Sequence, residues 1–158
     1  MKNCLICQKH ANESIPFIYE HSLLQVYHGP IQSNILGYLY VEPKRHVESW
    51  CELTGEELNA VSQTIKYISF LLTHYYKAER VYTVVISEQV RHFHIHLIPR
   101  YKDQNAKGLK LIEKATQQKN AANPLLTQKE IDDCTLFLHS RLASLEVKKN
   151  GCRQNVSV

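Results

Sequence analysis

Three histidines stand at strictly alternate positions, His92, His94 and His96, with Phe93 and Ile95 between them and Leu97-Ile98-Pro99-Arg100 after them. In a β-strand successive side chains point to opposite faces. This spacing therefore puts all three imidazoles on one face and the apolar residues on the other. Near pH 7 a neutral imidazole is a nucleophile, a proton carrier and a metal ligand. Three of them on one rigid strand fit a reacting site better than a packed core. A second chemical pattern, Cys4-x-x-Cys7, has the spacing of a zinc half-site.

These residues need a scaffold, and the chain can supply one. Its 158 residues, 44% hydrophobic and 22% charged, suit one soluble globular domain with a core of its own. No apolar run approaches the ~20 residues that span a bilayer. Gln8, Lys9 and His10 interrupt the start before any secretory core can form, which points to a cytoplasmic protein. A net charge of +4 without a run of basic residues suits small anionic substrates, not nucleic acid. The cysteines, at 4, 7, 51, 134 and 152, are odd in number and scattered, unlike a secreted disulfide framework.

Short apolar or aromatic runs at 17–19, 22–26 and 38–41 read as strands, with Gly29-Pro30 and Gly37 as breaks. Thr54 and Glu57 form a capping box that opens a helix over 55–76. Leu58, Val61, Ile65, Ile68, Leu72 and Tyr75 give it an apolar face. Val81–Ile86 is a β-branched strand, and a turn at 87–89 leads to the triad strand over 91–98 beside it, antiparallel. The stretch 102–123 is polar and reads as irregular. Thr127 and Glu130 open a C-terminal helix. The domain is expected to span 1–146, with a disordered tail over 147–158. Strands, a long helix and two further strands make an α+β sheet with helices packed on it.

The combined pattern resembles the signature of the histidine triad (HIT) superfamily of nucleotidyl hydrolases and transferases, His-x-His-x-His followed by two apolar residues. Gly37-Tyr38-Leu39-Tyr40-Val41-Glu42-Pro43-Lys44-Arg45-His46 resembles that family's strand ending in Pro-Lys-x-His. Cys4-Leu5-Ile6-Cys7 resembles the opening of its zinc-containing bacterial members, so the resemblance runs over about residues 3 to 101. It implies a HIT-like antiparallel sheet carrying a long helix and a C-terminal helix, and a structural Zn²⁺ on Cys4, Cys7, His46 and His92. It further implies His94 as nucleophile toward phosphorus, His96 beside the phosphate or leaving group, and a homodimer.

The implied reaction is cleavage of nucleoside phosphoramidates or dinucleoside polyphosphates through a nucleotidyl-histidine intermediate. The chain departs from the family pattern in two places. Where members read Gly-Gln-x-Val-x-His it has Ser87-Glu88-Gln89-Val90-Arg91-His92. Gln89 and Ser87 are then the candidate phosphate contacts. Where members carry an acid ahead of Pro-Gly-His, residues 28–38 contain none, and Tyr38 stands for the His. Asn34 is the candidate polar contact there. The alternative is a non-catalytic module that binds nucleotides or a protein partner.

Overall fold

The fold is described from a computed structural model for residues 4–12, 14–117 and 125–152, with side chains as far as residue 144. It contains strands β1 (Tyr19–Glu20), β2 (Leu24–His28), β3 (Leu39–Pro43), β4 (Arg80–Val84) and β5 (Ile95–Arg100), and helices α1 (Leu5–His10), α2 (Gly55–His74), α3 (Leu109–Thr116) and α4 (Gln128–Cys152). The strands form one antiparallel sheet in the order β1-β2-β3-β5-β4. The α+β expectation holds.

Register assigns the two faces. Tyr27 pairs with Tyr40, Tyr40 with His96, and His96 with Val84, so these side chains form one row across the sheet. One residue along, Val26, Val41 and Ile95 make the matching row on the other face. That second face is the main core. Leu24, Leu39, Leu97 and Phe93 close there against Val61, Ile68, Leu71 and Leu72 of α2 and Cys134, Leu138 and Leu142 of α4. Burial of this apolar area drives the packing of α2 and α4 on the sheet.

α2 begins as its sequence requires. Glu57 N–H donates to Thr54 Oγ1, Thr54 N–H donates to Glu57 Oε2, and the Arg45 guanidinium grips the same carboxylate at 2.9 and 2.6 Å. Leu58 and Tyr75, expected on the apolar face, are exposed, because the buried stripe narrows to Val61, Ile68, Leu71 and Leu72.

Three readings need correction. The polar stretch 102–123 contains α3, because Leu111 and Ala115, one turn apart, bury against Ile35, Tyr38 and Ile98. With lysines filling much of its remaining surface, α3 has too few apolar residues to stand out as a periodic run. The C-terminal helix continues past Val147 to Cys152, since no proline interrupts it and lysine is a good helix former. Residues 153–158 of the expected tail lie outside the described residues. Thirdly, the triad strand runs over 95–100, not 91–98. Ahead of it Phe93 N–H donates to the Val47 carbonyl and His92 N–H to Val90, outside the ladder. Among the described residues no helix is long and apolar enough to cross a membrane.

Candidate active site and metal centre

Cys4 is the extended N-cap residue of α1. Its thiol accepts from Cys7 N–H at 3.5 Å, so the first cysteine caps the helix that carries the second. His46 follows β3 and His92 precedes β5, and the pairing of these two strands brings the histidines together at 5.1 Å between ring centres. Cys4, Cys7, His46 and His92 each point one donor atom inward, all within 4.8 Å of one another. His92 Nδ1 lies 3.5 Å from both sulfurs, and His46 Nδ1 lies 3.4 Å from Cys7 Sγ. Around a tetrahedral zinc, with bonds of about 2.3 Å to S and 2.0 Å to N, neighbouring S and N donors stand about 3.5 Å apart.

The outer contacts suit the same group. His92 Nε2–H donates to the Pro43 carbonyl at 2.9 Å, which leaves Nδ1 with its lone pair aimed at the cluster. Burial keeps His92 below the usual imidazole range, favouring the neutral ligand form. Burial and the adjacent Cys4 push the Cys7 thiol up, so a dication is what would make it a thiolate. The four residues fit a closed, structural zinc site.

His94 and His96 lie beside this cluster, 4.8 Å apart between ring centres, in a cavity of about 460 Å³. That volume is in the range of small-molecule sites. His94 Nδ1–H donates to the His92 carbonyl at 2.7 Å, which fixes the tautomer and leaves Nε2 with a lone pair. His96 Nδ1 sits 2.6 Å from the Tyr38 hydroxyl, while its Nε2 is buried and has no well-formed hydrogen bond among the described residues. Burial first, and His94 second, pull His96 down to about 4, so it stays neutral at pH 7. The Tyr38 hydroxyl, raised well above the usual tyrosine range by burial and by Tyr40, stays protonated.

Tyr38 is held there by two glycines. A Cβ on Gly29 would stand 2.5 Å from the Tyr38 ring, and Gly37 takes a φ of +73°. Only glycine allows both the close approach and the left-handed turn at low cost.

The candidate residues separate by location. His94, His96 and Gln89 line the cavity, and Gln89 also borders the second hollow beside Cys4 and His46. Among the described residues Ser87 does not line the cavity, and its buried hydroxyl finds no hydrogen-bond partner. Asn34 is engaged elsewhere: it sits in the left-handed region at φ 53°, and its Oδ1 accepts from Leu126 N–H at 2.8 Å.

Sequence reading gave no site role to Tyr40 and Glu42 on β3, and read Tyr38 just before them only as a replaced histidine, although their alternation has the same period as the triad and faces it. It also passed over Lys9 and His10, for which the sequence carries no signal. Glu42 is buried, with Lys9 Nζ at 2.6 Å and His10 Nε2 at 2.9 Å. Burial pushes this carboxyl up, but the hydrogen bonds from His10 and Lys9 outweigh it and hold the carboxyl below its usual range. Thr116 and Gln117, at the end of α3, complete one wall of the cavity.

A family model described as HIT domain matches residues 15–103, more than half of the chain. The chain belongs to the HIT family. Its fold is similar to that of a Zn-bound histidine triad family protein from Mycobacterium smegmatis, at 16% identity and a TM-score of 0.64, over 93% of this chain and 98% of that one. A Hit-like protein from Bartonella henselae, involved in cell-cycle regulation, is similar at 18% identity and a TM-score of 0.66, over 89% and 96% of the two chains. A hypothetical histidine triad nucleotide-binding protein from Sulfolobus tokodaii is similar at 18% identity and 0.63, over 90% and 94%. At these identities the likeness concerns the HIT fold. No curated protein sequence matches the chain.

Proposed function

We propose that this HIT protein is a nucleotidyl hydrolase or transferase that cleaves nucleoside phosphoramidates or dinucleoside polyphosphates through a nucleotidyl-His94 intermediate. The observation that carries the reading is the His94 tautomer. With Nδ1–H held by the His92 carbonyl, the Nε2 lone pair is left to attack α-phosphorus. In that step the Nε2–P bond forms and the bond to the amine or phosphate leaving group breaks. Water then attacks phosphorus, the Nε2–P bond breaks, and a nucleoside monophosphate departs with His94 restored.

His96 Nε2, buried and without a well-formed hydrogen bond among the described residues, supplies the second contact to the phosphate oxygens or leaving group. The Tyr38 hydroxyl can accept from Nδ1–H or donate to Nδ1, so it supports either His96 tautomer. Gln89, on the cavity wall, is the side-chain amide we assign to the phosphate. Ser87 and Asn34 do not line the described cavity, and we give them no contact with the phosphate.

Zn²⁺ on Cys4, Cys7, His46 and His92 belongs to the same reading, and the Zn-bound Mycobacterium smegmatis protein supports it. A four-ligand site leaves no open position, so the ion would tie α1 to the sheet and take no part in the reaction. A cytoplasmic setting, where thiols stay reduced, fits this ligand set. We also expect a homodimer, for which the outer edge of β4 offers unpaired backbone.

A second reading, a nucleotide-binding module without turnover, draws on Glu88, an acid on the cavity wall where an anion must enter. Chromatography of a panel of adenosine and guanosine phosphoramidates with diadenosine tri- and tetraphosphate separates the two. Release of AMP or GMP by wild type and not by His94→Ala is the expected result. No release by folded wild type that binds nucleotide favours the module.

A further inference from the structure

The cavity has one wall that the triad does not explain. α1 is six residues long with Ile6 as its one buried residue, and an isolated helix of that length does not hold itself together in water. Its first turn presents Cys4 and Cys7 to the metal cluster, while Ile6 and Lys9, one turn apart, line the triad cavity. One short helix therefore belongs to both sites.

Among the described residues that line the cavity Lys9 is the one Lys or Arg, against the two acids Glu42 and Glu88. Its ammonium lies 2.6 Å from Glu42 Oε1, 3.9 Å from the Tyr27 ring centre and 5.8 Å from that of Tyr40. Tyr40 in turn stands edge-on to both His94 and His96, at 6.1 and 5.1 Å. Glu42 occupies one of the three ammonium donors, and the side chain keeps 22% of its surface exposed. Without that charge, the formally charged side chains on the described lining would both be carboxylates, Glu42 and Glu88.

We infer that Lys9 binds the phosphate of the ligand in the triad cavity, and that the Cys4–Cys7–His46–His92 metal centre governs this contact by fixing α1. The inference rests on the nucleotide reading above and adds a residue and a control to it. Two ties hold the helix against the sheet: the thiols at the metal centre, and the Lys9 and His10 bonds to Glu42, with His10 stacked on Tyr27. Loss of the metal removes the first and loosens Lys9 from the phosphate position.

The test measures affinity for AMP and for adenosine by calorimetry, with zinc content and far-UV circular dichroism followed in parallel. It compares wild type with Lys9→Met/Glu42→Gln, which removes both charges of the buried pair together. In the zinc-loaded variant AMP should bind about tenfold or more weakly, as a charge-assisted contact is lost, while adenosine affinity stays within about twofold. Chelation of wild type should reproduce the AMP loss, and chelation of the double variant should add little to it. Unchanged AMP affinity in the folded, zinc-loaded variant overturns the inference, as does an equal loss for adenosine. Should the double variant not fold, Lys9→Gln is read by the same criteria. Absence of AMP binding by wild type would instead contradict the nucleotide reading itself, and the inference with it.

Discussion

On one face of the sheet Leu39, Val41, Ile95 and Leu97 close against α2 and α4; on the other, Tyr40, Glu42 and His96 look toward α1 and α3. The same two strands, β3 and β5, build both faces. On the core face each side chain has many neighbours and no direction to keep, so burial is shared and a single loss is diluted. On the site face each polar group leans on one or two partners: His94 on the His92 carbonyl, His96 on Tyr38, Glu42 on Lys9 and His10. Stability therefore comes mainly from one set of alternate residues and chemistry from the other.

Substitutions on neighbouring residues should separate the two. His94→Ala removes the nucleophile and should lower turnover by about 10³-fold or more, with AMP affinity within a few-fold of wild type; steady-state kinetics beside calorimetry checks this. Leu97→Ala, one residue past His96 and fully buried, should cost about 2–5 kcal/mol by urea denaturation. Its zinc content and AMP affinity at 25 °C should not change, and a lost ligand site in the folded variant would break the division of faces.

The metal corner lies between these extremes. Chelation, or Cys7→Ser, should release one zinc per chain by elemental analysis. It should remove about 2–3 kcal/mol, the linkage expected at roughly a hundredfold excess of metal over Kd. That corresponds to a Tm lowered by about 4–10 °C, with far-UV dichroism showing the sheet retained.

The smallest effect belongs to the start of α2. The Arg45 hydrogen bonds pull Glu57 from the usual 4.5 down to about 2. A folded-state value below the unfolded one gives stability that is present above about pH 4.5 and is lost as the pH falls toward 2. The urea stability of wild type should exceed that of Arg45→Ala at pH 6, and the two should converge over that interval. Curves that stay parallel would remove the ion pair from the account.

The strand and helix periods were legible where burial acts on one face at a time. The capping boxes at Thr54 and Thr127 and the alternation of His92, His94 and His96 all placed their elements within a few residues. The four clustered residues, Cys4, Cys7, His46 and His92, were legible through the family pattern, because spacing alone does not say that β3 and β5 are neighbours. α1 and α3 were not legible. Each is short and gains its order from the surface it meets, α3 through Leu111 and Ala115 and α1 through its thiols and Glu42. Tyr38 was read as a missing histidine, whereas its hydroxyl occupies the Nδ1 side of His96. Asn34, expected at a ligand, spends its carbonyl oxygen on the backbone of Leu126.

The central claim is that His94 forms the covalent intermediate, and trapping it is the most direct measurement. Wild-type protein mixed with an adenosine phosphoramidate would be quenched within milliseconds at alkaline pH, where a phosphorus–imidazole bond survives, and its peptides read by mass spectrometry. The account predicts one adenylyl group on the peptide that carries His94, at Nε2, and none on His94→Ala. Turnover at full rate with no adduct, or an adduct on another residue that persists in His94→Ala, would contradict it.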